Sequence, residues 1–319
     1  MLSRRHYRIK VFQALYAWFQ GGEFRPEVAE KNLLLSIDKI YELYYIQLSF
    51  LLEIHDFYRR RTEEAKNKFY PTEEELNPSS RFLDNAVIRL IAENKDLQSQ
   101  VARYKISWTE EQEMIRKVGT KIRASKDLKA YLDSETSSFE EDREIVYRIF
   151  KKHLAKSTEL QFFCEERNIF WTDDFQGAAL FILKTIKLLP ENFKEKDALT
   201  SLFVKDEDDS PADDRKFIVE LFRKTIANSE DLEALIDGKT KNWELERIAL
   251  TDIILIKMAL TELMHFPSIP IKVTMNEYIE LSKLFSTPKS KLFINGLLDK
   301  LTEELKEAKK IKKKGRGLI

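Results

Sequence analysis

The chain has 319 residues, with 54 basic and 54 acidic side chains cancelling to a formal net charge of zero, and only eight glycines and eight prolines. It is long enough to bury a sizeable core, and scarce helix breakers beside abundant Leu, Lys, Glu and Ile predict an all-α fold with short connections. The neutral balance excludes a molecule that binds nucleic acid as a whole-surface polycation, so any such contact is confined to a local patch.

The first predicted helix runs from about Ser3 to Gln20 and stops at Gly21-Gly22. Two apolar sets line it, Tyr7, Val11, Leu15 and Trp18 on one side and Ile9, Phe12, Tyr16 and Phe19 on another. A helix this apolar is expected to be buried beyond its first turn, with the basic turn left outside. A long second helix follows from about Pro26 toward Lys68, where Tyr70-Pro71 ends it. Glu73 to Pro78 reads as a polar connector.

The chain then repeats itself. Ile91-Ala92-x-Asn94-x-Asp96-Leu97 precedes Trp108, Leu154-Ala155-x-Ser157-x-Glu159-Leu160 precedes Trp171, and Ile226-Ala227-x-Ser229-x-Asp231-Leu232 precedes Trp243. In each unit a helix ends near the Ala, an Asn or Ser caps the next, and an acidic residue in the first turn suits the helix dipole. Such units stack into one continuous helical core and say nothing of catalysis. Acidic residues gather in Asp206-Glu-Asp-Asp-Ser-Pro-Ala-Asp-Asp214.

Two more helices close the sequence. Met275, Ile279, Ser282 and Phe285 share one side of the first, Pro288 interrupts, and the second buries Ile294, Leu297, Leu298 and Leu301. Ser290 is the expected cap of that second helix. Gly296 lies inside it at a cost of ~1 kcal/mol relative to Ala, which close approach of another helix is expected to offset. Lys306 to Ile319 is lysine-rich and is expected to fray.

No enzyme site emerges. Cys164 is the sole cysteine, so neither an internal disulfide nor a Cys-built metal cluster is available, and it reads as a core residue. His6, His55, His153 and His265 lack ligand spacing, and no glycine-rich phosphate loop is present. No apolar run approaches membrane-spanning length and no leader opens the chain, which points to a cytoplasmic protein without membrane contact. The reading is a non-enzyme with no cofactor and no metal.

Two basic clusters offer binding chemistry. Arg4, Arg5, Arg8 and Lys10 crowd the first helix, and guanidinium forks suit phosphate recognition. The loop Thr287-Pro-Lys-Ser-Lys-Leu-Phe293 places Lys289, Ser290 and Lys291 at a helix start, where free N–H groups favour anions. Phe293 beside them reads either as an aromatic face for an unpaired base or as ordinary core. Each cluster also has a plain reading, as a solvated helix end.

Lys272-Val273, Asn276-Glu277, Ile279-Glu280-Leu281, Lys283 and Ser290-x-x-Phe293-Ile294-Asn295-Gly296-x-Leu298-Asp299 resemble the closing signature of the NusB family of bacterial transcription antitermination factors. Upstream, Trp243-x-Leu245-x-Arg247-Ile248, Asp252, Leu255, Ala259-Leu260 and Glu262-Leu263 continue the likeness. Arg4-Arg5, Arg8 and Gln13-Ala14-Leu15-Tyr16 resemble the family's opening helix. The resemblance implies an all-α, NusB-like helical bundle with inserted helical repeats. The implied division is a first core helix over 1–22, an insertion over 23–205, the remaining core over 206–305 and a basic tail over 306–319. It also implies binding of boxA-like single-stranded RNA together with the ribosomal protein NusE, with RNA polymerase reached indirectly. The RNA residues on this reading are Arg4, Arg5, Arg8, Lys10, Lys289, Ser290, Lys291 and Phe293. Two other readings are a helical scaffold that binds only protein and an RNA-recognition module like that of ribosomal RNA methyltransferases. Thr261 departs from the family by replacing an aromatic residue common before Glu262-Leu263.

Overall fold

Several helices begin at a side chain that caps them, as a computed structural model of the chain makes plain. It describes residues 4–21, 25–134, 136–199, 211–239 and 248–318. Among these residues there are fifteen α-helices and no strand, the all-α class that the composition predicts. They are α1 (Arg4–Gly21), α2 (Pro26–Lys66), α3 (Glu73–Leu76), α4 (Ala86–Glu93), α5 (Lys95–Arg103), α6 (Gln112–Arg123), α7 (Lys126–Leu132) and α8 (Phe139–Ile149). After them come α9 (Thr158–Arg167), α10 (Phe175–Leu188), α11 (Pro211–Ala227), α12 (Ser229–Asp237), α13 (Leu250–His265), α14 (Ile271–Phe285) and α15 (Pro288–Glu307). Asn85, Asn94, Ser125, Ser138 and Ser157 cap α4, α5, α7, α8 and α9, each accepting from the backbone N–H three residues on. Such a cap is worth ~1 kcal/mol over Ala. The connector at Glu73 contains the single turn α3, which Thr72 and Glu75 hold in a reciprocal capping box.

The chain forms two compact units, one of Asp38–Leu202 and one of Leu2–Ile37 with Phe203–Ile319. In the first, α8 packs on α4, α7 and α10, and a π-helical turn (Phe150–Leu154) continues α8 against α6 and α10. Trp108 and Trp171 are both buried and both donate their indole N–H to α2, to Ser49 Oγ at 3.1 Å and to the Lys39 carbonyl at 2.8 Å. Leu97 and Leu160, which follow the caps in the two units, are buried alike. The third unit departs from this pattern: α12 is preceded by Asn228, which makes no side-chain cap, and Ser229 instead accepts from Lys257 Nζ at 2.8 Å. Its Trp243 lies outside the described residues. Cys164 is buried, and burial pushes its thiol up to about 12.

In the second unit, α13 packs against α1, α11, α12, α14 and α15. Every residue from Ile254 to Leu263 is buried, Lys257, Thr261 and Glu262 among them. α15 buries Ile294, Leu297, Leu298 and Leu301, as its spacing predicts. The buried face of α14 is rotated from the predicted one: Thr274, Met275, Tyr278, Leu281 and Ser282 are inside, while Ile279 and Phe285 are only half-buried. Beyond α15, Lys313 Nζ donates to the Phe266 carbonyl at 3.0 Å and the Lys314 N–H to the Pro267 carbonyl at 2.9 Å. These bonds hold the segment expected to fray against the end of α13.

Candidate nucleic-acid interface

Burial along α1 meets the sequence expectation at Tyr7, Val11, Phe12 and Leu15 and departs from it at the basic residues and at Tyr16. Arg8 and Lys10 are 2 % and 3 % exposed, whereas Tyr16, further along, is 39 % exposed. The reason is a carboxylate in the core. Glu262, at 0 % exposure on α13, accepts from Arg8 Nε and Nη2 at 2.7 Å each, from Thr274 Oγ1 at 2.9 Å and from Tyr278 Oη at 3.1 Å. A buried carboxylate is tolerated only when paired and hydrogen-bonded. That requirement draws Arg8 inward and turns Thr274 and Tyr278 of α14 toward the core. Burial disfavours the charged guanidinium, but Glu262 outweighs it, and the Arg8 pKa is raised above its ordinary value. The phenol of Tyr278 is raised by burial first and by Glu262 second. Arg8 and Lys10 therefore do not lie on the surface where a phosphate is met.

Arg5 sits at the edge of this network. Its Nε and Nη2 donate to Glu277 at 2.9 and 2.8 Å, and its side chain is 42 % exposed. The hydrogen bond from Arg5 holds the Glu277 carboxyl below its usual range. Arg4 is part-exposed, with Nε 3.6 Å from Asp214.

The second cluster is built by the start of α15. Thr287, not Ser290, is the cap: its Oγ1 accepts from the Ser290 N–H at 3.2 Å, and Pro288 takes the first helical position. Proline suits that position because its missing N–H has no helical partner there. Ser290 Oγ turns back to Thr287 Oγ1 at 2.9 Å. Lys289 is exposed, while Ser290, Lys291 and Phe293 are half-buried. Glu280 of α14 feels the charge of both clusters. The Lys283 hydrogen bond is the main cause of its lowered pKa, and the charges of Arg5 and Lys291 add to it. Arg5 and Lys291 thus both act on Glu280, while Arg8 and Lys10 are buried.

Gly296 is exposed, and a Cβ built on it meets nothing within 4 Å. No neighbouring helix comes close, so the expected internal compensation for this glycine is absent. Sequence reasoning also missed the Glu262 network. Its signal was a carboxylate set between Leu260-Thr261 and Leu263 in a mostly apolar helix.

Among the described residues no group of His, Cys, Asp or Glu could hold a metal ion, and no helix is long and apolar enough to cross a membrane.

Comparison with known proteins adds a second line of observation. The NusB family model matches residues 175–303, from the start of α10 into α15. The transcription antitermination protein NusB of Salinibacter ruber is 42 % identical over 114 residues, covering 36 % of this chain and 69 % of that protein. The proteins of the same name from Chloroherpeton thalassium and Geotalea daltonii are 38 % and 40 % identical over 105 and 89 residues. Those matches cover 33 % and 28 % of this chain, and 50 % and 61 % of the relatives' own lengths. No solved structure matches the chain. With more than two thirds of the Salinibacter ruber relative aligned, and a family region that holds the buried Glu262 and the exposed start of α15, the chain belongs to the NusB family.

Proposed function

We propose that this protein supports antitermination of ribosomal RNA transcription by binding boxA-type single-stranded RNA together with the ribosomal protein NusE. RNA polymerase is engaged only through that assembly. The work is binding, not catalysis, and takes place in the cytoplasm where transcripts are made. The observation that carries this reading is the NusB-family match over residues 175–303, which takes in Lys289, Ser290, Lys291 and Phe293 at the start of α15. Arg4, Arg5, Lys289 and Lys291 supply positive charge, Ser290 a hydroxyl, and Phe293 a ring for a base. Arg8 and Lys10 take a different part, with Arg8 fixing α1 on α13 through Glu262 so that Arg5 is held in place.

In this reading residues 1–22 and 206–305 form the RNA-binding core and 23–205 are a helical insertion, into whose end the family match, beginning at residue 175, reaches. The packing of α1 on α11 and α13 supports that division.

The test is a fluorescence-anisotropy titration of labelled boxA-type RNA, with and without NusE, across a salt series. Phosphate contacts predict a log–log slope of about −0.7 per contact on a single strand, tighter binding with NusE, and weaker binding to a scrambled RNA. Salt-independent binding, or equal affinity for the scrambled strand, would remove the proposal.

A further inference from the structure

Gly296 poses a question that the fold leaves open. A glycine in a helix interior is the least favourable ordinary residue short of proline, because it adds backbone freedom to the unfolded chain. Where one is kept for packing, a neighbour stands where the Cβ would go. Gly119 shows that case, its built Cβ lying 2.3 Å from Phe57 Cδ1. At Gly296 that space is empty and faces solvent.

Its surroundings give the space a chemistry. Lys289, Phe293, Gly296 and Lys300 follow at intervals of four, three and four residues, so on an α-helix they fall within a strip about 60° wide. Lys289 and Lys300 are exposed, and neither enters an ion pair among the described residues. The strip therefore presents a cation, an aromatic ring, bare backbone and a second cation over about 16 Å of helix. Carboxylates bound it: Asp299 to one side accepts from Asn295 at 3.2 Å, and beyond Lys300 the exposed Glu303 and Glu307 continue the same face with the opposite charge, so the cationic strip ends at Lys300.

Resting on the function proposed above, we infer that single-stranded RNA runs along this strip from the start of α15, its sugar–phosphate backbone lying directly over Gly296 and held by Lys300. Two unpaired lysines flanking a ring and a gap match a polyanion with unstacked bases. Neither Gly296 nor Lys300 is explained by the two basic clusters alone.

The full chain is titrated with boxA-type RNA as the parent, Gly296→Ala, Gly296→Leu, Lys300→Gln and Lys300→Arg, with thermal melts of each. Because no atom occupies the space, Gly296→Ala raises the melting temperature, by about 2–4 °C, while weakening RNA binding. Gly296→Leu weakens binding further, by about tenfold, without a lower melting temperature. Lys300→Gln flattens the salt slope by about 0.7, and Lys300→Arg restores it. RNA affinity unchanged in both Gly296 variants and in Lys300→Gln overturns the inference while leaving the proposed function standing. The same variants losing NusE and keeping RNA would assign the strip to protein, which also overturns it. A parent chain that binds no RNA removes both readings together.

Discussion

Arg8 and Glu262, 254 positions apart in sequence, form a two-pronged ion pair at 2.7 Å with neither side chain more than 2 % exposed. The pair ties the first helix of the chain to the central helix of its unit. It makes Arg8 an internal fastening, while its neighbours Arg4 and Arg5 stay part-exposed.

Breaking that pair leaves one charge buried and unmatched. Arg8→Ala or Glu262→Ala is expected to cost about 3–5 kcal/mol, read as a shift in the urea unfolding midpoint. Arg8→Met combined with Glu262→Leu is expected to cost much less than the two single changes added together, because no lone charge remains. Additive losses would show that the two side chains act independently.

The two indoles anchored on α2 predict a matched pair of effects. Trp108→Phe and Trp171→Phe each remove one hydrogen bond, to Ser49 Oγ and to the Lys39 carbonyl, so a loss of about 1–3 kcal/mol is expected from each. Trp→Ala at either position is expected to reach about 3–5 kcal/mol. If one tryptophan proves silent in the same melts, the two units do not share this anchoring role.

Acid should loosen the fold in a defined window. The Lys117 hydrogen bond, with smaller help from the Glu159 backbone N–H, lowers the Glu159 carboxyl from 4.5 to about 2, and Arg5 lowers that of Glu277. A depressed folded-state pKa gives stability that is complete above the unfolded value of 4.5 and fades as the pH falls toward the folded one. Urea midpoints measured from pH 6 downward should therefore begin to fall near pH 4.5, and Glu159→Gln should reduce that dependence. A variant with the parent's full acid sensitivity would exclude Glu159 from it.

Gly119 is expected to behave oppositely to Gly296. Alanine would gain helix propensity there, yet its methyl would meet the Phe57 ring at 2.3 Å. Overpacking of this kind costs about 1–3 kcal/mol, so Gly119→Ala should lower the melting temperature. A rise would mean that the ring shifts without penalty.

Phe293 separates base stacking from core packing. Half-buried at the start of α15, it is expected to contribute about 1–3 kcal/mol of RNA affinity, lost in Phe293→Ala and in Phe293→Leu alike. Leucine keeps apolar volume but has no aromatic face. RNA titrations and melts on both variants decide the matter, and a Leu variant that binds like the parent defeats stacking.

Much of the fold was legible in the chain alone, because helices answer to local rules. The caps at Asn94 and Ser157, the stop at Tyr70-Pro71, the α15 core positions from Ile294 to Leu301 and the buried Cys164 all follow from neighbours within a turn or two. The family likeness was legible for a related reason, since its residues cluster in one C-terminal stretch. Tertiary structure alone decided which charges face water. Nothing within ten residues of Arg8 shows that Glu262 waits in the core 254 positions away, and desolvation made that pairing prevail over solvent exposure. The rotation of α14 toward Glu262, the uncapped start of α12 and the empty space above Gly296 have the same origin. Sequence determines which residues form helices, but the neighbours that give a charge or a glycine its role are assembled only by packing.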